Sequence, residues 1–217
     1  MFKILSYPIK DGDPTWPGNP TCSLEPHTSI AKGDTANTAN HYGTHLDGPM
    51  HFNPNGISLD KVPVERFFYQ KPLVIDVPKK AGEKILIEDL MPYKDQIAQA
   101  DFLFLRTGFW KKRKSDPSVY ENNGPAVGSA AATYLRENFP NLKAIGLDFV
   151  SLASYSDGKD GDLAHQIMLG MYQPGYICIV EDINMEELPE GFLKQAAAVP
   201  LIIVGIDSCP VTMWAEF

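Results

Sequence analysis

Residues 41–51 read His-Tyr-Gly-Thr-His-Leu-Asp-Gly-Pro-Met-His. This segment holds three of the five histidines of a 217-residue chain, and an aspartate stands between the last two of them. Neutral imidazole and carboxylate are preferred ligands of Zn²⁺ and similar divalent ions, and imidazole also exchanges protons near neutral pH. The segment therefore predicts a metal site and a general acid or base in one place.

The spacing of the four candidate side chains favours an extended segment. His41, His45, Asp47 and His51 occupy odd-numbered positions, and alternate residues of an extended chain point to the same face. In a helix, Asp47 would lie about 200° around the axis from His45. A fully extended chain would separate the Cα atoms of His41 and His45 by about 13 Å, so we predict a bend at Gly43, where a missing Cβ permits unusual dihedral angles. The alternative is that these are ordinary polar residues of a surface strand or hydrogen-bonded core histidines.

The overall composition narrows the class of protein. A hydrophobic fraction of 44% and 217 residues suit one globular domain over 1–217. The net charge of −8 disfavours nucleic acid as a partner, and the basic run at 111–114 is predicted to be a solvated loop. The cysteines are few, widely spaced and without a CxxC pattern, which favours a reducing cytoplasm. We expect no signal peptide, no membrane span and a cytoplasmic location.

The order of predicted elements indicates an α/β fold, with a mixed sheet and a strand-rich N-terminal part. Short strands and loops are expected over 2–55, and a loop over 109–124. Helices are predicted over 87–99, 129–138 and 163–171. Further strands are predicted over 73–77, 101–107, 144–147, 176–180, 201–206 and 211–217.

Three downstream residues could complete a second ion site. His165, Glu181 and Asp182 supply an imidazole and two carboxylates, and a carboxylate such as Asp47 can bridge two ions about 3.5–4 Å apart. The alternative is a partly buried polar histidine and acidic residues that merely end a strand in solvent. Trp16, in a proline-rich loop, could cover an apolar ligand pocket or pin the loop to the core.

The pattern His41-x-Gly43-Thr44-His45-x-Asp47-x-Pro49-x-His51 resembles the signature of the metal-dependent cyclase family, which includes bacterial kynurenine formamidases and isatin hydrolases. The resemblance runs nearly end to end, because further segments are also similar to the family: Trp16-Pro17-Gly18, Leu105-Arg106-Thr107-Gly108, Gly146-Leu147-Asp148 and the closing segment 200–211.

The resemblance implies a swivelling β/β/α fold, a homodimer or homotetramer, and Zn²⁺ or Mn²⁺ bound as one or two ions per subunit. His51 corresponds to the proton donor and acceptor, and Trp16 to a residue at the substrate pocket. The spacing from His165 to Glu181 is longer than the family's, which leaves Asp182 as an alternative ligand. The metal ligands implied by the resemblance are His41, His45 and Asp47 for one ion, with Asp47, His165 and Glu181 for the second.

These features predict a metal-dependent hydrolase of an amide or formamide bond. In the expected reaction, hydroxide generated at the ion attacks the carbonyl, and His51 takes and returns the proton. The first expectation is an arylformamidase of tryptophan catabolism, converting N-formylkynurenine into kynurenine and formate. Opening of a cyclic amide such as isatin is the second expectation. A non-catalytic protein that binds a metal or small molecule in the same fold is the remaining alternative.

Overall fold

A curled mixed sheet carries the candidate site and joins the two ends of the chain. The structure, a computed structural model, describes residues 1–10, 12–20, 22–25, 35–37 and 39–217. The remaining residues of the predicted 2–55 region lie outside the described part. The described strands are β1 (Phe2–Ile4), β2 (Ser23–Glu25), β3 (Thr35–Asn37), β4 (His45–Asp47), β5 (Phe68–Tyr69), β6 (Pro72–Asp76), β7 (Lys84–Ile85), β8 (Phe102–Arg106), β9 (Ala126–Val127), β10 (Ala144–Leu147), β11 (Cys178–Glu181), β12 (Gly191–Phe192), β13 (Gln195–Pro200) and β14 (Ser208–Glu216).

The helices are short and lie mainly between the strands of the middle of the chain. In the described ranges, none is long and apolar enough to cross a membrane. Their bounds are α1 (Ile87–Leu90), α2 (Lys94–Ile97), α3 (Trp110–Ser115), α4 (Pro117–Asn122), α5 (Ser129–Asn138) and α6 (Gly158–Met168), with 3₁₀ turns at Leu59–Lys61, Val64–Phe67, Met91–Tyr93 and Tyr155–Asp157.

Strand β4, which carries two of the candidate ligands, lies where the sheet changes from parallel to antiparallel pairing. The main sheet has the order β12-β6-β8-β10-β11-β4-β14-β13-β5, with β1 paired to β14. Strands β6, β8, β10 and β11 are parallel neighbours, whereas β4 runs antiparallel to both β11 and β14. Residues from the middle and the end of the chain therefore flank β4 on both sides.

The parallel strands are buried on both faces, which explains their continuous apolar sequences. In β8, Leu103 and Leu105 belong to the core beneath α5 and α6. Phe102 and Phe104 point the opposite way, into the core shared with β13 and β14. Helices thus cover one face of the parallel strands and the curled end of the sheet covers the other, which confirms the predicted α/β fold with β/β/α layers.

The prediction of a loop over 109–124 was wrong, because this segment forms α3 and α4. Asp116 separates the two helices, and its side chain accepts a hydrogen bond from the backbone N–H of Val119 at the start of α4. Pro117 occupies the first turn, where a missing N–H leaves no hydrogen bond unmade. The basic run lies on α3 rather than in a solvated loop, and the side chain of Arg113 is only 10% exposed.

Three other element predictions need correction. The predicted helix over 87–99 is divided into α1, a 3₁₀ turn and α2, since Pro92 interrupts the helical hydrogen bonds. The helix expected over 163–171 is α6, which begins at Gly158 and ends at Met168. The strand expected over 201–206 is a loop, because the β13–β14 pairing ends at the Pro200–Val211 pair. This loop exposes the apolar residues that suggested a strand.

Candidate metal centre

The first ligand segment is a short strand with a bend before it and a turn after it. His45 and Asp47 share one face of β4. Gly43 has φ of +61°, a left-handed conformation that favours glycine, and this confirms the bend predicted there. After β4 the chain turns, and the His51 N–H donates to the carbonyl of Gly48 at 3.0 Å. The extended geometry predicted for the whole segment therefore applies only to its centre.

The bend brings two histidines to one carboxylate. His41 Nδ1 lies 3.0 Å from Asp47 Oδ1, and His45 Nε2 lies 3.6 Å from the same oxygen. One ligand atom from each of the three residues falls within 4.8 Å of the others. These atoms are close enough to share a single cation, and their role as ligands stays a prediction.

The downstream pair reaches the other side of the same carboxylate. Glu181 ends β11 and is paired in register with His45 of β4, and its Oε2 lies 3.3 Å from His45 Nε2. His165, on α6, places its Nε2 3.5 Å from Glu181 Oε1 and 3.9 Å from Asp47 Oδ2. The structure thus brings together all five residues that the sequence suggested as metal ligands.

The His45 and His165 rings are oriented so that, in their neutral form, the lone pair of each Nε2 faces the lone pairs of carboxylate oxygens. His45 Nδ1 lies 2.8 Å from the carbonyl of Gly43, and His165 Nδ1 lies 2.9 Å from the carbonyl of Gly161. A carbonyl only accepts, so each Nδ1 carries the proton, and in a neutral ring Nε2 is a bare acceptor. Both Nε2 atoms face carboxylate oxygens. Among the described residues, His45 Nε2 and Asp47 Oδ2 have no hydrogen-bond partner, and Asp47 Oδ1 has the His41 ring nitrogen 3.0 Å away. A divalent cation fits this donor set, because it would bind every one of these unpaired atoms.

Without an ion, the cluster meets the same need for positive charge by protonation, since Glu181 and Asp47 raise the pKa of His45 and of His165 in spite of their burial. Burial opposes ionisation of Glu181, and so does the Asp47 charge, but His165 and His45 outweigh both and lower the pKa of Glu181 to about 2. Burial disfavours the imidazolium of His41, yet Asp47 and Asp207 raise its pKa to about 10. The pKa of Asp47 is lowered by the histidines in spite of its complete burial. Buried carboxylates that stay ionised require positive charge beside them.

The structure brings Glu181 to the histidines and turns Asp182 away from them. The Asp182 carboxylate accepts hydrogen bonds from Arg113 Nε at 2.9 Å and from the Tyr120 hydroxyl at 2.7 Å. Adjacent side chains at the end of a strand point in opposite directions, so one of the two carboxylates had to leave the cluster. Asp182 is the one that does so.

His51 lies beside the cluster with a partner that the sequence reasoning missed. Its Nδ1 is 2.9 Å from Asp207 Oδ2, while its Nε2 lies 3.9 Å from Asp47 Oδ2. Asp207 Oδ1 also accepts from the amide of Asn40 at 2.6 Å, and Ser208 Oγ lies 2.7 Å from His41 Nε2. The only sequence signal for Asp207 was its place in the closing segment that resembles the cyclase family.

A cavity of about 270 Å³ opens onto the cluster. Trp16 forms part of its wall and contacts the ring of Tyr155, with centroids 5.5 Å apart. Phe52 stacks on the His165 ring at 4.6 Å, and Val150 and Ala153 complete the apolar part of the lining. The position of Trp16 agrees with the pocket role predicted for it, although that role stays a prediction.

Comparisons with known proteins agree with this geometry. The chain is 29% identical over 212 residues to the kynurenine formamidase of Sphingopyxis alaskensis, covering 95% of this chain and 93% of that protein. It is 43% identical over 110 residues to an uncharacterised protein of Haemophilus influenzae, covering 51% of this chain and 78% of that protein. Its fold matches isatin hydrolase A of Labrenzia aggregata, solved with benzyl benzoate bound, with a TM-score of 0.82, 20% identity, and coverage of 99% and 93%.

The family profile described as "Putative cyclase" matches residues 4–154. This segment is more than half of the chain and contains the whole 41–51 pattern, although not the downstream ligands. The rest of the chain aligns with the kynurenine formamidases and with the isatin hydrolase fold. The chain therefore belongs to the cyclase family.

Proposed function

We propose that this chain is a metal-dependent hydrolase that cleaves an amide or formamide bond. The orientation of His45 and His165 carries the proposal. Each ring is fixed through Nδ1 by a backbone carbonyl and presents Nε2 to the ionised carboxylates of Asp47 and Glu181. Mixed imidazole and carboxylate ligands of this kind suit Zn²⁺ and Mn²⁺.

The five residues would hold one or two ions. His41, His45 and Asp47 would bind the first, and Asp47 with His165 and Glu181 the second. A divalent ion in such a site lowers the pKa of water and polarises a carbonyl oxygen, which is the chemistry that amide hydrolysis requires. The proposed ligand atoms are all nitrogen or oxygen, and both Zn²⁺ and Mn²⁺ bind such atoms. Elemental analysis is therefore the measurement that identifies the ion.

His51 would act as the general acid and base. Its Nδ1 donates to Asp207, which fixes the ring and leaves Nε2 free to accept a proton on the side of Asp47. Asp207 is thus a positioning residue for His51.

The cavity favours an aryl formamide as the substrate. Its wall combines Trp16 and Phe52 with small aliphatic side chains, and such a lining binds a flat aromatic ring. N-formylkynurenine is the first candidate, supported by the kynurenine formamidase relative that aligns over 95% of the chain. Asp162 at the lining offers a carboxylate to the ammonium group of this substrate, and the described lining residues offer no lysine or arginine to its carboxylate.

A cyclic amide of the isatin type is the second candidate. The fold similarity to isatin hydrolase A supports it, and a compact bicyclic ring suits a cavity with aromatic walls as well as an open-chain formamide does. A protein that binds a metal or small molecule without turnover is the third. All three candidates bind an ion, so metal content alone does not separate them.

A substrate panel with metal analysis tests the proposal. The protein is purified without added metal, analysed for bound ions, and assayed with N-formylkynurenine, a neutral aryl formamide and isatin, before and after chelation and reloading. We expect turnover of a formamide, its loss on chelation and its recovery with Zn²⁺ or Mn²⁺. An Asp47→Ala variant should bind neither ion, because both ligand sets include Asp47. A fully metallated Asp47→Ala protein would contradict the ligand assignment, and a metal-loaded wild type that turns over none of the amides would refute the hydrolase.

A further inference from the structure

A second buried cluster lies beside the candidate metal centre and takes no part in the proposed reaction. Arg113 reaches from α3 to Asp182, with its Nε 2.9 and 3.1 Å from the two carboxylate oxygens. The Tyr120 hydroxyl donates to the same carboxylate, and the guanidinium lies over the Tyr7 ring, 3.9 Å from its centroid. The Asp182 side chain is 1% exposed, so this is an ion pair shielded from water.

The backbone of Asp182 is held in a conformation that it would not adopt freely. Its φ of +53° makes it the one non-glycine residue with positive φ in the described part of the chain. Side chains with a Cβ rarely adopt this region, although aspartate tolerates it better than most. Its N–H donates to the carbonyl of Phe149, and its carbonyl accepts from Thr44 Oγ1 at 2.5 Å. Contacts of both the side chain and the backbone therefore hold Asp182 in its positive-φ conformation.

Fixing Asp182 fixes the two ligand segments against each other. Asp182 directly follows Glu181, and Thr44 directly precedes His45. The Thr44–Asp182 hydrogen bond therefore ties the ends of β4 and β11 together at the point where both enter the site. The Glu181 carboxylate accepts hydrogen bonds from the Leu152 N–H at 2.6 Å and from Ser151 Oγ at 3.2 Å. The same 149–152 segment accepts the Asp182 N–H at Phe149, so relaxation of Asp182 to negative φ would shift Glu181 relative to these donors and to the histidines.

Arg113 also determines which of two adjacent carboxylates faces the ion. With its charge neutralised by Arg113, Asp182 neither repels Glu181 nor competes with it for a cation. Arg113 Nη1 also lies 3.6 Å from Asp13. Removal of the guanidinium would leave Asp182 buried without a counter-charge, whereas Asp13 would keep Lys10 at 3.6 Å. The side chain thus acts on the centre without touching it.

We propose that Arg113 is a positioning residue for the second ion of the centre: through Asp182 it holds Glu181 in front of His165, and the second ion is lost without it. The proposal rests on the proposed function only for the presence of the ions. Its readout is ion stoichiometry rather than turnover, so it can fail while the hydrolase stands.

The experiment compares bound ions in the wild type and in four variants of the full chain. Arg113→Met keeps the length of the side chain and removes its charge, and Arg113→Lys restores the charge without the forked contacts. Arg113→Met combined with Asp182→Asn leaves no buried carboxylate without a cation, because Asp13 keeps Lys10. Asparagine also tolerates positive φ, so the double variant controls for loss of folding. Lys112→Met is the matched control, since Lys112 lies on the same helix and pairs with the partly exposed Asp116 that follows α3.

Each protein is stripped with chelator, checked for folding by circular dichroism, and titrated with Mn²⁺ in a calorimeter. We expect two ions per chain in the wild type and in Lys112→Met. We expect one in Arg113→Met and in the double variant, or a second ion bound at least tenfold more weakly. Arg113→Lys should recover part of the second affinity. Unchanged binding of two ions by the folded double variant would overturn the proposal, and so would a wild type that binds one ion only.

Discussion

Among single residues, His51 and its partner Asp207 are the ones whose substitution should affect the reaction rate most directly. Replacement of His51 by alanine removes the proposed general acid and base, and we expect kcat to fall by about 10²- to 10⁴-fold. The metal content should not change, because none of the proposed ligands is removed. Steady-state kinetics on the best substrate of the panel, with elemental analysis of the same sample, measures both.

Asp207→Asn is the companion variant. It should lower kcat less than His51→Ala does, since the amide still contacts the His51 ring but replaces a charge-assisted hydrogen bond with a weaker neutral one. A His51→Ala protein with wild-type kcat and full metal content would rule out the acid–base role.

The charges of single residues also predict how the stability of the metal-free protein depends on pH. His41 has a pKa raised from 6.5 to about 10, so its contribution is complete below about pH 6.5 and is lost as the pH rises through 10. Glu181 has a pKa lowered from 4.5 to about 2, so its contribution is complete above about pH 4.5 and is lost as the pH falls through 2. These two groups therefore stabilise the metal-free protein most between about pH 4.5 and 6.5.

Urea unfolding of chelator-treated protein at several pH values measures the pH dependence of the free energy of unfolding. We expect the free energy of unfolding to fall from pH 6.5 to 10. His41→Gln should flatten that fall, since glutamine does not titrate. A metal-free protein whose stability rises steadily over this interval would show that His41 is not held as an imidazolium.

At the scale of elements, the position of α6 depends on the absence of one side chain. Gly161 packs so closely on the preceding loop that a Cβ there would lie 2.2 Å from Ala153 Cβ and 2.8 Å from its Cα. The Gly161 carbonyl also orients the His165 ring. Close packing at this point therefore sets where His165 stands relative to Glu181.

Alanine normally stabilises a helix relative to glycine, but Gly161→Ala should destabilise the protein by about 1–3 kcal/mol through overpacking. It should also weaken metal binding, because the helix must move away from Ala153. Gly158→Ala in the same helix is the control, since nothing lies within 4 Å of the added Cβ; it should be neutral or stabilising. Chemical unfolding measures the free energy of unfolding of both variants, and metal titration measures their affinity for the ion. Equal stability of the two variants would contradict the close packing at Gly161.

The elements also differ in how well the sequence predicted them. Helix α5 and strand β10 have the predicted bounds, because a capped amphipathic pattern and a buried apolar run are local signals. Helices α3 and α4 were missed, since a helix of six residues has too few turns to show a periodic pattern. The exposed run 201–204 looked like a strand because its residues are aliphatic, yet whether a strand forms depends on a partner to pair with.

At the scale of the whole molecule, that exposed run predicts self-association. Four consecutive aliphatic residues are open to solvent in a single chain, and such patches mark interaction sites. We expect a homodimer or homotetramer that buries this loop: Leu201 at 69% exposure, Ile202 at 62%, Ile203 at 46% and Val204 at 84%.

Light scattering coupled to size exclusion measures the mass directly. Ile202→Asp and Val204→Asp should each shift the equilibrium towards the monomer, since burying an unpaired carboxylate is costly. Val64→Asp serves as a control for an exposed apolar residue elsewhere, at 62% exposure. A wild-type protein that is monomeric at micromolar concentration would contradict the prediction.

The sequence by itself predicted the clustering of His41, His45 and Asp47, the family and the α/β fold, because these depend on side-chain chemistry and short-range spacing. The tertiary structure alone decided that Glu181 and not Asp182 faces the histidines, that Asp207 contacts His51, and that Arg113 is buried beside the site rather than solvated. Each of these is a contact between residues distant in the chain. Such a contact depends on strand register and on which neighbouring side chain has the opposite charge. Local sequence patterns predict neither of these.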